Sequence, residues 1–516
     1  MFGFGFAARD IGRLRAFGDG RSREDPVIIG SCICSGVFGE ISFSQCEHAF
    51  KIMDNLYFDT FFFFVPNRLV WRNWAKLQGE QAQPGDSIDY TVPEINGTTG
   101  GYSVGSIFDY MGLPTVGQVA ANGQVKHSAL PLRAYNLIYN EWFRDENLCD
   151  PVWMDRTSDG PDPSINYALQ KRGKRHDYFT SCLPWPQKGD SVALPLGTQA
   201  PVKWADTPTA NSWIVRKTQD NSASPDGQLS ALSGGLVVGG VGSVGLDPNG
   251  RLFTDLSEAT SATINQLRQS FQVQKLLERD ARGGTRYTEI VRSHFGVQSP
   301  DARLQRPEYL GGGSTPIMVS PIAQTSATGQ TGATTPLGTL GAMATSVASG
   351  RGFSQSFTEH GMIIGLAMVR ADLTYQQGLR RMWSRKTRYD FYMPVFAALG
   401  EQAVLSKELF CDGTAGDEEV FGYQERWSEY RYNPSQVTGL FRSTSAGTID
   451  AWHLAQEFST RPTLAKTFIE ENVPLERILA VGASAGGQEI ISDMFFNIRA
   501  ARPLPLYSVP GLIDHF

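Results

Sequence analysis

An all-β core with long loop insertions that contain some helices is the fold class this sequence predicts. Three observations predict it. Apolar, aromatic-rich runs are short enough to be strands, turn formers are abundant (54 Gly and 28 Pro), and helix-periodic segments are few. Gly and Pro punctuate chains that turn often, and aromatic side chains favour pleated, half-buried surfaces. The strand-like runs are separated by stretches far longer than ordinary connections, so the insertions fall between strands. The 516 residues, 41% of them hydrophobic, suffice for a large core. Length alone suggests about three domains, but one β core with insertions uses the same length.

Taken in order, residues 1–26 form an N-terminal arm, rich in Gly and in Arg9, Arg13, Arg15, Arg21 and Arg23. A first strand is expected near 27–45, where Ile28, Ile29, Ile33, Val37, Ile41 and Phe43 can face a core. Residues 53–71 read as a buried strand ending at the Pro66-Asn67 turn, followed by a short helix from Asn73 to Gly79. Residues 80–128 are loop-rich with short strands. Residues 130–148 place Leu132, Tyr135, Ile138, Tyr139, Trp142 and Phe143 at helical spacing, an amphipathic helix. The composition changes at 197–262, which is rich in Gly, Ser, Thr and Ala and poor in large apolar groups. A helix follows at 263–283, with Ile264, Leu267, Phe271 and Leu277 near one face and Gly283-Gly284 ending it. After a second small-residue stretch, 311–352, strands are expected at 359–375 and 388–399, an extended aromatic segment at 427–439 and a last short strand at 477–481. The tail carries Pro503, Pro505 and Pro510. The implied division is 1–26, 27–196, 197–262 and 263–516.

The net charge of -6 argues against a chain that binds nucleic acid through its overall charge. Any such contact must be local. Six scattered cysteines suit a reducing compartment better than a disulfide scaffold. No signal peptide is expected, since Arg9 and Asp10 follow an aromatic, Gly-rich start. The most apolar run, 58–70, is broken by Asp59, Pro66, Asn67 and Arg68 and is too short to span a bilayer, so no membrane partner is expected.

Several motifs fail their physical context. GVGSVG at 240–245 matches a dinucleotide fingerprint, but Asp247, Pro248 and Asn249 follow where a helix should start. GASAG at 482–486 matches a nucleophile elbow at Ser484, preceded by a strand-like ILAV and followed by QEIISDMF, which could form a helix. Only Asp493 and the pair Asp514-His515 remain to complete a triad, so a turn serine is the better reading and a serine esterase the alternative. Cys32, Cys34, Cys46 and His48 lack the spacing of a structural zinc site. No catalytic residue, metal site or cofactor is expected.

Two clusters combine cations with aromatics, the chemistry of single-strand binding. One holds Arg380, Arg381, Arg385, Lys386 and Arg388 beside Trp383, Tyr389 and Tyr392. The other holds Lys171, Arg172, Lys174 and Arg175 beside Tyr178. The plainer alternative for both is a solvated face or salt bridges between subunits.

Longer segments carry a family resemblance. IMDNLYFDTFFFFVPNRLVWRNW (52–74), LPLRAYNLIYNEWFRDENL (130–148) and RYTEIVRSHFGVQSPDARLQRPEYLGG (286–312) come first. They continue in 359–404, in FGYQERWSEYRYNPSQVTGLFR (421–442) and in RPLPLYSVPGLIDHF (502–516). Together and in this order the sequence resembles the major capsid proteins of the gokushovirus branch of the microviruses. Residues 21–51 depart from the family pattern after RSR. The resemblance implies a single eight-stranded viral jelly roll and a T=1 icosahedral shell around a circular ssDNA genome, assembled in the host cytoplasm. It implies no enzymatic activity. It makes 197–262 the counterpart of a surface protrusion that contacts the host. The implied partners are further copies of the chain, packaged ssDNA, a small basic DNA-binding protein, a minor pilot protein and a host surface receptor.

Overall fold

A computed structural model describes residues 54–190, 192, 264–297, 305–323, 340–348, 352–478 and 491–501, together with short strands at 2–5, 31–42 and within 202–254. Among these residues the chain divides into two compact units, Met1–Pro186 with Asp280–Phe516, and Gln187–Arg279.

The first unit is built on an eight-stranded antiparallel sheet. Its strands are β1 (Phe2–Gly5), β2 (Ser31–Ser42), β3 (Leu56–Pro66), β4 (Glu308–Ala323), β5 (Leu340–Ala348), β6 (Ser354–Gln355), β7 (Gly361–Ala371) and β8 (Ile491–Ala501). They lie in the order β1-β7-β3-β4-β5-β2-β6, with β8 also paired to β2. The long strand β4 joins two halves. Glu308 to Ile317 pair with β3, and Met318 to Ala323 pair with β5. A strand expected near 27–45 is present as β2, paired along ten positions with β8.

β3 explains the curl. Side chains alternate across a strand, and both faces of β3 are covered. Leu56 and Phe58 pack with Ile317 of β4, Ala344 of β5 and Met494 of β8. Phe62 and Phe64 pack with Phe353, Phe357 and Phe496. The same face of β3 thus meets residues from the other half of its own sheet, which therefore curls over an aromatic interior. The opposite face, Phe61, Phe63 and Val65, packs against helix α1 (Leu130–Ile138) and Trp71. A strand buried on both faces reads as a continuous apolar run, which is why LYFDTFFFFVP shows no polar alternation. Pro66 ends it, because it lacks the N–H that a further ladder step needs.

The amphipathic reading of 130–148 changes. All residues of α1 except Pro131 are buried, and the segment widens into a π-turn at Tyr139–Phe143. Its polar members are satisfied inside. Arg133 is fully buried and forms a two-bond ion pair with Asp162 at 2.7 and 2.6 Å, and Tyr167 donates to the same carboxylate. Helix α2 (Ile264–Gly283) matches the expected 263–283, with Gly284 at φ +104° beyond its end. Phe271, however, stands 63% exposed in the chain alone. Helix α3 (Tyr287–Phe295) follows.

Five expectations are corrected. Residues 388–399 form no strand but short 3-10 turns, because Asp390 accepts from the backbone N–H of Lys386 and Thr387 and Pro394 starts the next turn. Within 427–439, Ser428–Tyr430 is a 3-10 turn after Trp427, whose φ is +68°. The strand at 477–481 is absent as far as Ile478, where the chain turns after Leu475–Arg477. QEIISDMF is no helix from Ile491 onward, since that part starts β8. The stretch 311–352, given no strand from sequence, contains most of β4 and all of β5. Ser484, the GASAG motif and the tail 502–516 lie outside the described residues.

In the second unit three short antiparallel pairs are nested along the chain. Val202–Trp204 pairs with Leu252–Thr254, Val215–Lys217 with Val244–Leu246, and Leu229–Leu232 with Gly235–Val238. Val244–Leu246 includes the last residues of the GVGSVG stretch, so a strand stands where a nucleotide-binding helix would begin.

A basic and aromatic candidate site

The segment after β7 is pinned across a β-hairpin, Glu401–Leu405 with Val420–Glu425. Leu379 N–H donates to Lys407 at 2.7 Å, and Cys411 N–H donates to Gln377 at 3.0 Å. Gly378 is required here, because a Cβ would lie 2.0 Å from the Glu408 carbonyl oxygen. This approach carries Arg380, Arg381 and Arg385 into a cleft of about 500 Å³.

Two acidic side chains organise the cleft. Arg381 donates to Glu408 at 2.9 Å and to the Ala403 carbonyl at 2.8 Å. Burial opposes the charge on Arg381, but Glu408 and Glu429 outweigh it and hold the guanidinium more firmly protonated than usual. Burial is also the largest influence on Glu408 and raises its pKa, against the pull of Arg381. Tyr178 donates to the other Glu408 oxygen at 3.0 Å. Arg385 lies 3.5 Å from Glu429 and 4.4 Å over the Tyr430 ring. Arg380 differs: its bonds go to Asn433 Oδ1 and the Pro434 carbonyl, both neutral. Arg442 reaches the cleft from a distant part of the chain and donates to the Gln376 carbonyl at 3.2 Å.

Beyond the cleft, Lys386 and Arg388 are exposed. So are Trp383 (70%), Tyr389, Phe391, Tyr392, Val395 and Leu399, a ridge of large apolar side chains facing away from the core. The second basic cluster divides. Lys174 is buried, donates to Gln456 at 2.8 Å and lies 4.4 Å over Phe468. Burial lowers its pKa to about 8. Arg172 reaches Asp59 at 3.4 Å and lies over Phe61. Lys171 and Arg175 are exposed, Lys171 donating to Asn472. Sequence spacing grouped these four residues, but the backbone points them two in and two out. It did not show Arg442, Glu408, Glu429 or Tyr432, which join the cleft only through tertiary folding.

Among the described residues no group of three His, Cys, Asp or Glu side chains is placed to hold a metal, and no helix is long and apolar enough to cross a membrane. A curled antiparallel sheet whose long connections build basic and aromatic surfaces fits a structural protein of the viral-shell type. The comparisons give the family. Residues 10–512 match the family described as Capsid protein (F protein), and the chain belongs to that family. It is 47% identical over 473 residues to capsid protein VP1 of Bdellovibrio phage phiMH2K, covering 90% of this chain and 87% of the relative. It is 41% identical to capsid protein VP1 of Chlamydia phage 1 (89% and 87% covered) and 38% identical to that of Spiroplasma virus 4 (89% and 86%). These are gokushovirus-like microviruses, as the resemblance of 52–74, 130–148 and 286–312 implied. The protein is thus a structural component of a virion and not an enzyme.

Proposed function

We propose that this chain assembles with copies of itself, in the host cytoplasm, into a T=1 icosahedral shell enclosing a circular ssDNA genome. The observation that carries the reading is the curled sheet. One long strand joins two halves that close over a shared aromatic interior, the arrangement expected of a single eight-stranded jelly roll. Closed shells need heterologous contacts whose rotation closes, and the exposed ridge from Trp383 to Leu399 supplies apolar surface for one of them.

The segment 197–262 acts as a surface protrusion that contacts a host receptor. Its support is the separate compactness of Gln187–Arg279 and its nested short hairpins. A Gly/Ser linker in place of 197–262 leaves assembly intact and reduces host attachment; loss of assembly-competent subunit would count against this. The exposed cations Lys386, Arg388, Lys171 and Arg175 give genome- or neighbour-facing charge, and a small basic protein and a pilot protein complete the packaged particle.

The test is to purify particles, reconstruct them by electron microscopy and digest their nucleic acid. T=1 symmetry with DNA sensitive to a single-strand nuclease is expected. Another symmetry, or duplex DNA, would contradict the corresponding part of the proposal.

A further inference from the structure

We infer that the cleft at Arg380 is a single-nucleotide site, with Arg380 and Arg442 holding a phosphate and the Tyr430–Tyr432 wall receiving an unstacked base. The inference rests on the capsid reading, since it takes the packaged single strand as the ligand.

Charge is the first support. Arg381 and Arg385 are matched by Glu408 and Glu429. Arg380 and Arg442 line the same cleft, and among the described residues they bond only to neutral oxygens, those of Asn433, Pro434 and Gln376. A guanidinium presents five donors in a fork that matches phosphate geometry. Arg380 uses one terminal nitrogen for both of these bonds, and its buried Nε has no hydrogen-bond partner among the described residues. Two cations without carboxylates in one concavity leave a net positive site despite an acidic chain.

Shape and surface agree. About 500 Å³ falls within the range of about 300–1,000 Å³ usual for small-ligand sites. Tyr432 is braced by stacking on Tyr178 at 5.2 Å, and Tyr430 is half exposed at the rim. Braced aromatics beside phosphate-binding cations accept any base, because every base has a π-face. Nearby, Trp427 holds a left-handed backbone at φ +68° that a non-glycine residue adopts at a cost, which is common where a loop is held for function.

A segment of a neighbouring subunit is the competing occupant. The apolar side chains that such a contact would bury, Trp383, Phe391, Val395 and Leu399, do not line the cleft. The cleft itself offers unmatched cations and tyrosines, which suits a polyanion with rings.

The test uses the full chain and a deoxythymidine oligomer of about ten nucleotides, measured by fluorescence anisotropy over a salt series. The double variant Arg380→Gln/Arg442→Gln should weaken binding and lower the salt slope by about 0.7, the change for one lost single-strand phosphate contact. Tyr430→Ala should weaken binding at least about fivefold with the slope unchanged. Unaltered affinity and slope in the double variant would overturn the inference. So would a double variant that binds the oligomer like wild type but no longer forms particles, which would assign the cleft to a subunit contact. Photocrosslinking of wild-type protein with a 5-iododeoxyuridine oligomer gives a readout independent of variant folding. Adducts at Tyr430 or Tyr432 support the site, and adducts confined elsewhere overturn it. Wild-type particles with no effect at the cleft would sink this inference alone, whereas a wild-type chain that forms no particles would sink the capsid reading.

Discussion

For single residues, the largest effects of substitution are expected at a few buried charges, where losing one partner leaves the other unpaired. Arg133 and Asp162 are both essentially inaccessible to solvent, and each satisfies the other. Removing one partner strands the other, so Asp162→Ala should cost about 3–5 kcal/mol in chemical denaturation of the unassembled subunit. A loss below about 1 kcal/mol would show that water or a rearranged carbonyl replaces the carboxylate. Lys174 works the other way. Burial lowers its pKa to about 8, against the pull of Glu471 and Asp177, so the folded state binds this proton more weakly than the unfolded chain. Between about pH 8 and the ordinary lysine value of 10.5 the unfolded state holds more protons, and the Lys174 contribution to stability rises with pH. Below that window the full penalty, about 3 kcal/mol as an upper figure, is present. The difference in stability between wild type and Lys174→Met should therefore shift in favour of wild type as pH rises from 8 to 10.5. A pH-independent difference would mean that Lys174 is solvated. Sequence could not distinguish this inward Lys174 from the outward Arg175, because one residue of spacing carries no information about which way an irregular loop faces.

Elements were legible where their residues were large. β3 and β7 announce themselves through Phe58, Phe61–Phe64 and Ile363–Met368, because bulky side chains fix both strand propensity and burial. β4 and β5 did not, since Gly311–Ser314 and Leu340–Ala348 are mostly small residues with no hydrophobic period. Their small size has a structural reason at Gly312, where a Cβ would lie 2.0 Å from the Thr60 carbonyl oxygen. Gly312→Val should break the β3–β4 pairing and leave the subunit largely insoluble; a soluble variant with wild-type melting behaviour would show that the strands can separate at no cost. The false strand at 388–399 erred for the opposite reason. Its aromatics looked like core residues but are the exposed ridge, so hydrophobicity signalled a surface meant for covering. Trp383→Ser with Phe391→Ser should leave the subunit's melting temperature unchanged and reduce particle yield at least tenfold, a loss of about 2 kcal/mol or more per contact at an interface anchor. Normal yield would remove the ridge from the assembly contacts.

For the molecule as a whole, one curled sheet carries long connections, and those connections hold the basic cleft, the apolar ridge and the compact unit at Gln187–Arg279. The family was legible in the order of long segments, whereas the cleft was not, because Tyr178, Arg380, Glu408 and Arg442 meet only after folding. Short motifs carry little by comparison: GVGSVG, set aside on its sequence context, leads into a strand rather than a helix. The proposed activity of the protein is surface contact between copies of itself. It is tested most directly by sedimentation and negative-stain microscopy of the purified wild-type chain, alone and with circular ssDNA. Closed, uniform shells of roughly 30 nm or less are predicted, from packing some tens of compact domains of this size into a thin wall. A chain that stays monomeric or forms only irregular aggregates under both conditions would contradict it.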